Sequence, residues 1–245
     1  MRPDAVVFDV DGTLVESEQD GHRVAFNRAF EEAGLPDRWD RATYRRLLAV
    51  PGGRPRLTTW FVSRGRSAAE AETLAASLHA RKSELMRELC AAGEVPARPG
   101  VAELLGELAG AGIDLHVATT GSPGWVLPLL ARRFGPLFDV VVTGADVARL
   151  KPDPEAYLEV LRRTGRPADR VVAVEDSTAG VRAAVAAGLR CLAVRNDDTR
   201  EDDVHAADLV VDEYADPRVR PWLSLLAAER ALRPGAAAHQ PLGRC

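Results

Sequence analysis

The sequence predicts an α/β fold: a doubly wound parallel sheet carrying an all-helical insert. Three observations predict it. From residue 101 onward, short apolar runs alternate with stretches of helical periodicity, the rhythm of βαβ units. One further apolar run, Ala5–Phe8, stands apart near the N-terminus. Between the two lie some eighty residues with helical patterning and no convincing strand. About six strands result, too few for an eight-stranded barrel.

The elements follow in order. Ala5–Phe8 is short, apolar and followed by acidic residues and Gly12, as expected of a buried parallel strand feeding a loop. Residues 16–33 place Val24, Phe26, Ala29 and Phe30 at helical spacing and stop at Gly34. Residues 41–50 and 56–63 are shorter helical candidates. Residues 67–92 form a long Ala/Glu/Leu-rich helix, with Ser67 and Glu70 spaced as a capping box. Pro96 and Pro99-Gly100 punctuate the return to alternation. Helices are expected over 101–111, 125–134, 154–164, 178–187 and 219–232. Strands are expected over 113–118, 140–143, 171–174, 191–194 and 209–211. The organisation predicted is a core of residues 1–15 plus 96–232, a helical cap of 16–95, and a flexible Ala/Gly/Pro-rich tail of 233–245. No internal repeat is present.

Composition narrows the function classes. The 245 residues carry a net charge of −4, and hydrophobic and charged residues make up 46% and 28%. That balance suits a globular protein with a sizeable core. Acidic residues outnumber basic ones, and the arginines are scattered, which argues against nucleic-acid binding. Three cysteines without CxxC spacing argue against a disulfide framework or zinc site and fit a reducing compartment. No apolar stretch suffices for a signal-peptide core or membrane span, so a cytoplasmic protein without membrane attachment is expected. All but two of the 32 basic residues are arginine; the exceptions are Lys82 and Lys151. Codon bias accounts for most of this. A lysine that survives it marks a place where a compact ammonium serves and a planar guanidinium does not.

In open parallel sheets, ligands bind at the carboxyl ends of the strands. Four polar clusters fall there: Asp9-Val10-Asp11-Gly12-Thr13, Thr119-Thr120-Gly121, Lys151-Pro152-Asp153-Pro154 and Glu175-Asp176-Ser177. Alone, each has an ordinary explanation as a turn or a helix start. Together they suit phosphoryl transfer. An aspartate can attack phosphorus to give an acyl phosphate. Mg²⁺ relieves the repulsion between that carboxylate and the phosphate, and it favours a few carboxylates plus waters. Asp9 is the expected nucleophile. Asp9, Glu175 and Asp176, with the Asp11 main-chain carbonyl, are the expected metal ligands. Asp11 is the expected general acid and base. Thr119 is expected to donate to a phosphate oxygen and Lys151 to neutralise transition-state charge.

DVDGTLVESE, VATTGS, KPDPEAY and VAVEDSTAGVRAA resemble the four signature motifs of the haloacid dehalogenase-like hydrolases. The resemblance extends to about Trp222. It implies a Rossmannoid core with a four-helix cap, Mg²⁺ as cofactor, and the roles just given to Asp9, Asp11, Thr119, Lys151, Glu175 and Asp176. Within that superfamily, DGHRVAFNRAFEEAG, YRRLLAVPGGRPRL, LHARKSEL and ARPGVAELL resemble the CbbY-like subgroup. This implies a phosphatase of a small phosphorylated sugar, xylulose-1,5-bisphosphate foremost. The subgroup's Gly-Gly-Lys-Glu-Arg appears here as Gly52-Gly53-Arg54-Pro55-Arg56, a departure that bears on the substrate. A β-phosphoglucomutase-type mutase and a phosphoglycolate-type phosphatase share these motifs and remain alternatives. A dehalogenase has no need of the second carboxyl at Asp11, and a non-catalytic ligand-sensing module is expected to have lost a catalytic group.

The cap supplies the candidate substrate contacts. In similar enzymes a histidine at the place of His22 helps position the acid/base aspartate; the alternative is a surface histidine. Gly53, Arg54 and Arg56 are expected at a helix start that receives a second phosphate, or as exposed residues of an Arg-rich chain. Glu18 accepts a sugar hydroxyl or faces water. Lys82 is expected to face the site from the last cap helix, and Thr120 and Gly121 to line it from the core. Trp39, Tyr44 and Trp60 are expected to pack the cap, and Cys90 to be a small packing residue. The protein is expected to act as a monomer.

Overall fold

The structure, a computed structural model, describes residues 2–50 and 52–224. The run Ala5–Phe8 is β1, buried along its whole length. It lies near the middle of a six-stranded parallel sheet with β2 (Asp114–Ala118), β3 (Val140–Val142), β4 (Val171–Glu175), β5 (Arg190–Val194) and β6 (Leu209–Val211), in the order β3-β2-β1-β4-β5-β6. The chain winds outward in one direction to β3 and then in the other from β4, so a crevice opens beyond the end of β1.

Alternation along β1 builds the two faces. Val6 and Phe8 join one apolar cluster with α5 (Val101–Gly110) and α6 (Pro123–Phe134). Ala5 and Val7 join the other with α7 (Glu155–Thr164) and α8 (Thr178–Ala186). Burial on both faces explains why the strands read as continuous apolar runs.

The segment between β1 and β2 is helical. It begins with a π-helical turn, Glu18–His22, followed by α1 (Arg23–Glu32), α2 (Arg41–Leu47), α3 (Gly53–Ser63) and α4 (Ala68–Ala92). Phe26, Phe30, Trp39, Tyr44 and Phe61 form its aromatic centre. Ser67 and Glu70 make the reciprocal capping box that starts α4. Two linkers tie the insert to the sheet side by side: Glu16 N–H donates to the Pro96 carbonyl, and Arg98 N–H to that of Leu14.

Four boundaries differ from expectation by more than two residues. The first insert helix is broken into a π turn and α1. At Gly21 an added Cβ would lie 2.9 Å from Met86 Cε, so this turn sits tight against α4. The second insert helix stops at Leu47. The third starts at Gly53 rather than 56, because Pro55 falls in its first turn, where a missing N–H costs nothing. The last described helix, α9 (Val219–Trp222), ends at Trp222, and Ser224 adopts φ 60° just beyond it; residues 225–232 of the expected helix lie outside the described residues. The expected tail, 233–245, lies outside the described residues. No described helix is long and apolar enough to cross a membrane.

Candidate active site

The four strand-end clusters meet at one rim. Asp9 follows β1, and its N–H donates to the Val174 carbonyl of β4. Lys151, in the loop before α7, reaches back under it. Its Nζ lies 2.7 Å from Asp9 Oδ1, 2.6 Å from Glu175 Oε1 and 2.8 Å from the Ala118 carbonyl. Glu175 is the last residue of β4, and Tyr157 on α7 also donates to its Oε1 at 2.5 Å. Glu175 Oε2 accepts the Asp176 N–H. The carboxylate packs so close to α8 that a Cβ on Gly180 would overlap it. Glu175 therefore holds Lys151 in place as much as it offers oxygen to an ion.

Asp9, Glu175 and Asp176 bring one oxygen each within 4.8 Å of one another, all buried. Three carboxylates face one ammonium. Burial, aggravated by Glu175 and Asp11 and only partly offset by Lys151, pushes Asp9 up to about 8. Burial, with Asp9 and Glu175 nearby, pushes Asp176 well above the carboxylate range. The surplus negative charge and all-oxygen donor set fit a hard divalent cation. No nitrogen or sulfur ligand stands among the three. Asp176 is oriented by Asn196, whose Nδ2 donates to Asp176 Oδ2 at 2.8 Å and to the Gly12 carbonyl at 3.1 Å. Gly12 has φ 70°, and a Cβ there would sit 2.2 Å from Asp176 Oδ2, so this turn requires glycine.

Asp11 points the other way, toward the insert. Ser17 donates to its Oδ1 at 2.5 Å, and His22 Nε2 lies 3.4 Å from the same oxygen. Burial raises the Asp11 carboxyl, but the hydrogen bonds from His22 and Ser17 and the charges of His22 and Lys82 outweigh it and hold it below its ordinary value. Its side chain thus lies outside the acidic trio; only its main chain remains available to a metal there. Thr119, at the end of β2, accepts the Gly121 N–H at 3.0 Å, which sets its rotamer. Gly121 leaves no room for a side chain, because a Cβ would come within 2.5 Å of Trp125.

Two cavities of about 350 and 330 Å³ meet over this rim, sharing Asp11, Glu18, Arg56 and Thr120 as walls. Gly53, Lys82 and Gly121 line the second. Lys82 is buried; its Nζ lies 2.9 Å from His22 Nδ1 and 4.9 Å from the Phe26 ring centroid. Burial lowers it to about 8, against the pull of Glu18 and Asp11. Arg56 is buried too and donates to the Tyr44 hydroxyl at 2.9 Å, which in turn donates to Glu18 at 2.7 Å. Tyr44 therefore does more than pack: it joins the two polar walls. Arg54 is not brought to the cleft. It is half exposed and pairs with Glu72 at 2.5 Å on the outside of the insert. Positions 54 and 56 are about 200° apart around α3, so they cannot share a face.

Ser17, Tyr157, Arg98 and Asn196 are members of the site that sequence reasoning missed. Buried Arg98 donates to the carbonyls of Gly12, Val194 and Arg195. Asn196 stands two residues beyond β5, and the strand-end rule that found the other clusters applies to it equally.

Comparison with known proteins gives the family. The haloacid dehalogenase-like hydrolase model matches residues 3–188. The chain belongs to the haloacid dehalogenase-like hydrolases. Within them it is CbbY-like. It is 42% identical over 217 residues to protein CbbY of Cereibacter sphaeroides, covering 87% of this chain and 93% of that one. The crystal structure of a CbbY mutant from Rhodobacter sphaeroides in complex with xylulose-(1,5)bisphosphate matches with TM-score 0.74 and 41% identity, over 87% of this chain and 96% of that one. A second CbbY structure from the same organism, in complex with phosphate, matches with TM-score 0.72 and 40% identity over the same shares. The chain is an enzyme of this family, a hydrolase.

Proposed function

We propose that the protein is a Mg²⁺-dependent phosphatase of a small phosphorylated sugar, with xylulose-1,5-bisphosphate as the first candidate. One observation carries the reading. A buried carboxylate, Asp9, is held by Lys151 at the floor of the cleft, while a second carboxylate, Asp11, stands apart under His22 and Ser17. A nucleophile and a separate acid/base are what acyl-phosphate chemistry needs. The substrate class is supported by the complex of the CbbY relative with xylulose-(1,5)bisphosphate.

In this reading an Asp9 oxygen attacks phosphorus and the P–O bond to the sugar breaks. Asp11 gives its proton to the departing oxygen. In the free protein Asp11 is held toward its ionised form; an anionic phosphate arriving beside it favours the protonated one. Asp11 then takes a proton from the water that attacks the acyl phosphate, the Asp9–phosphate bond breaks, and inorganic phosphate leaves. Lys151 and the Thr119 hydroxyl stabilise the charge on the transferring group. Asp9, Glu175 and Asp176, with the Asp11 carbonyl, would hold Mg²⁺, which when bound would supply charge that offsets the repulsion between carboxylate and phosphate. Residues 16–95 act as a cap: Glu18, His22, Gly53, Arg56 and Lys82 meet the sugar from above, with Thr120 and Gly121 below. On this reading the protein is a monomer in the cytoplasm, a reducing compartment that suits three cysteines without CxxC spacing.

A panel of phosphorylated sugars, including xylulose-1,5-bisphosphate and glucose phosphates, assayed with Mg²⁺ tests this. Free phosphate is expected, without isomerised sugar phosphate. Isomer formation without net phosphate release would instead make the protein a mutase.

A further inference from the structure

The insert meets the sheet on two sides of the cleft. On the α6 side the contact is aromatic, with the His22 ring edge-on to Trp125 at 5.4 Å. On the β5 side it is polar and converges on one atom. Asp198 Oδ1 accepts from Gln19 Nε2 at 2.6 Å and from Arg45 Nε at 3.1 Å, both on the insert. Gln19 is buried, and its Oε1 has no partner among the described residues. Losing Asp198 would leave that amide wholly unsatisfied, which is costly in a buried place.

The segment carrying Asp198 is fixed to the core. Asn196 Oδ1 accepts the N–H groups of Asp198 and Thr199, while its Nδ2 holds Asp176 and the Gly12 carbonyl. Asp202 accepts the Thr178 N–H at the start of α8. The loop is therefore rigid against the acidic trio and touches the insert through Asp198. Nothing in the proposed chemistry requires a carboxylate at that place.

We infer that Asp198 is a positioning residue: a latch that holds the insert down over the cleft and sets substrate affinity through that closure. Arg45 is half exposed, so its share of the latch is weak enough to break in each cycle. Gln19 biases the resting state toward closed. For its kinetic arm alone, the inference rests on the phosphatase reading.

The experiment measures distances between spin labels placed at Ser77 on α4 and Arg182 on α8, in a Cys245→Ser background without substrate. Asp198→Ala is expected to move the distribution outward and to raise KM about three- to tenfold, with kcat within twofold. Arg45→Asp alone and Asp198→Arg alone are expected to do the same. The double swap is expected to return both readouts toward wild type. Should Asp198→Ala fold poorly, Asp198→Asn keeps the shape and is expected to shift the same way by less. Unchanged distances in the Asp198 variants, or a swap no better than its single components, would overturn the latch. Failure to release phosphate from any sugar would overturn the phosphatase reading but leave the distance measurement intact.

Discussion

The sheet rim and the helical insert wall the same cleft in different ways. At the rim, Asp9, Glu175 and Asp176 are buried, as is the side chain of Lys151, and they are tied to one another through an ammonium, a phenol and backbone groups. The insert's polar residues are joined in a chain instead, Arg56 to Tyr44 to Glu18 and Lys82 to His22, reaching the rim at Asp11. The first arrangement suits chemistry that tolerates no displacement. The second can move as a unit and change its contacts with the cycle. On this view rim substitutions abolish turnover, whereas insert substitutions change affinity and pH dependence.

The largest effect expected is at Asp9. Asp9→Asn should lower phosphate release by about four orders of magnitude or more, since no nucleophile remains. The same change removes one of three crowded carboxylates, so the melting temperature of the metal-free protein should not fall. Calorimetry beside a phosphate assay checks both; a turnover loss below tenfold would refute the assignment. Lys151→Ala should also abolish turnover but with the opposite sign on stability. It leaves Asp9 and Glu175 buried without a counter-charge, a cost of about 3–5 kcal/mol. Two rim variants, equally inactive and divided by stability, would sharpen the contrast.

The insert should answer to pH. Lys82 is pushed down to about 8 by burial, so it is charged below that pH and neutral above it. An ammonium that meets an anionic substrate is lost as pH rises, and KM should climb roughly tenfold between pH 7 and 9, as the charged fraction falls. Lys82→Gln should show a high KM throughout and no such climb. A climb that survives the substitution would assign it to another group.

What was legible in the sequence divides along the same line. The rim clusters are local words at strand ends, so a strand pattern and the carboxyl-end rule find them together. Asn196 obeys the same rule and was within reach. Arg98 was not: it stands at no strand end, and its carbonyl partners lie 86 to 97 residues away. Tyr157 lies inside KPDPEAY but on a helix, so the strand-end rule does not reach its hydroxyl, although Glu175 is only 18 residues on. In the insert, a helix start set three residues late hid the phase of α3. Phase decides facing, and so Arg54 and Arg56 looked like a pair when they stand on opposite sides of the helix.

That phase error supplies the smallest expected effect and a control for the rest. Arg54 is half exposed and its guanidinium meets Glu72 across the outer face of α3 and α4. Exposed pairs of this kind contribute little, because solvent screens them and both side chains lose rotamer freedom in pairing. Arg54→Ala should leave kcat and KM within twofold of wild type and the melting temperature essentially unchanged. Arg56→Ala, two residues on, should raise KM markedly, since it removes a buried cation from the cleft wall and leaves the Tyr44 hydroxyl without its donor. Steady-state kinetics on the two variants in parallel decides the matter. If Arg54 proved the more sensitive, the second phosphate would have to reach the outer face of the insert, and the cleft described between insert and rim would be too small an account of the site.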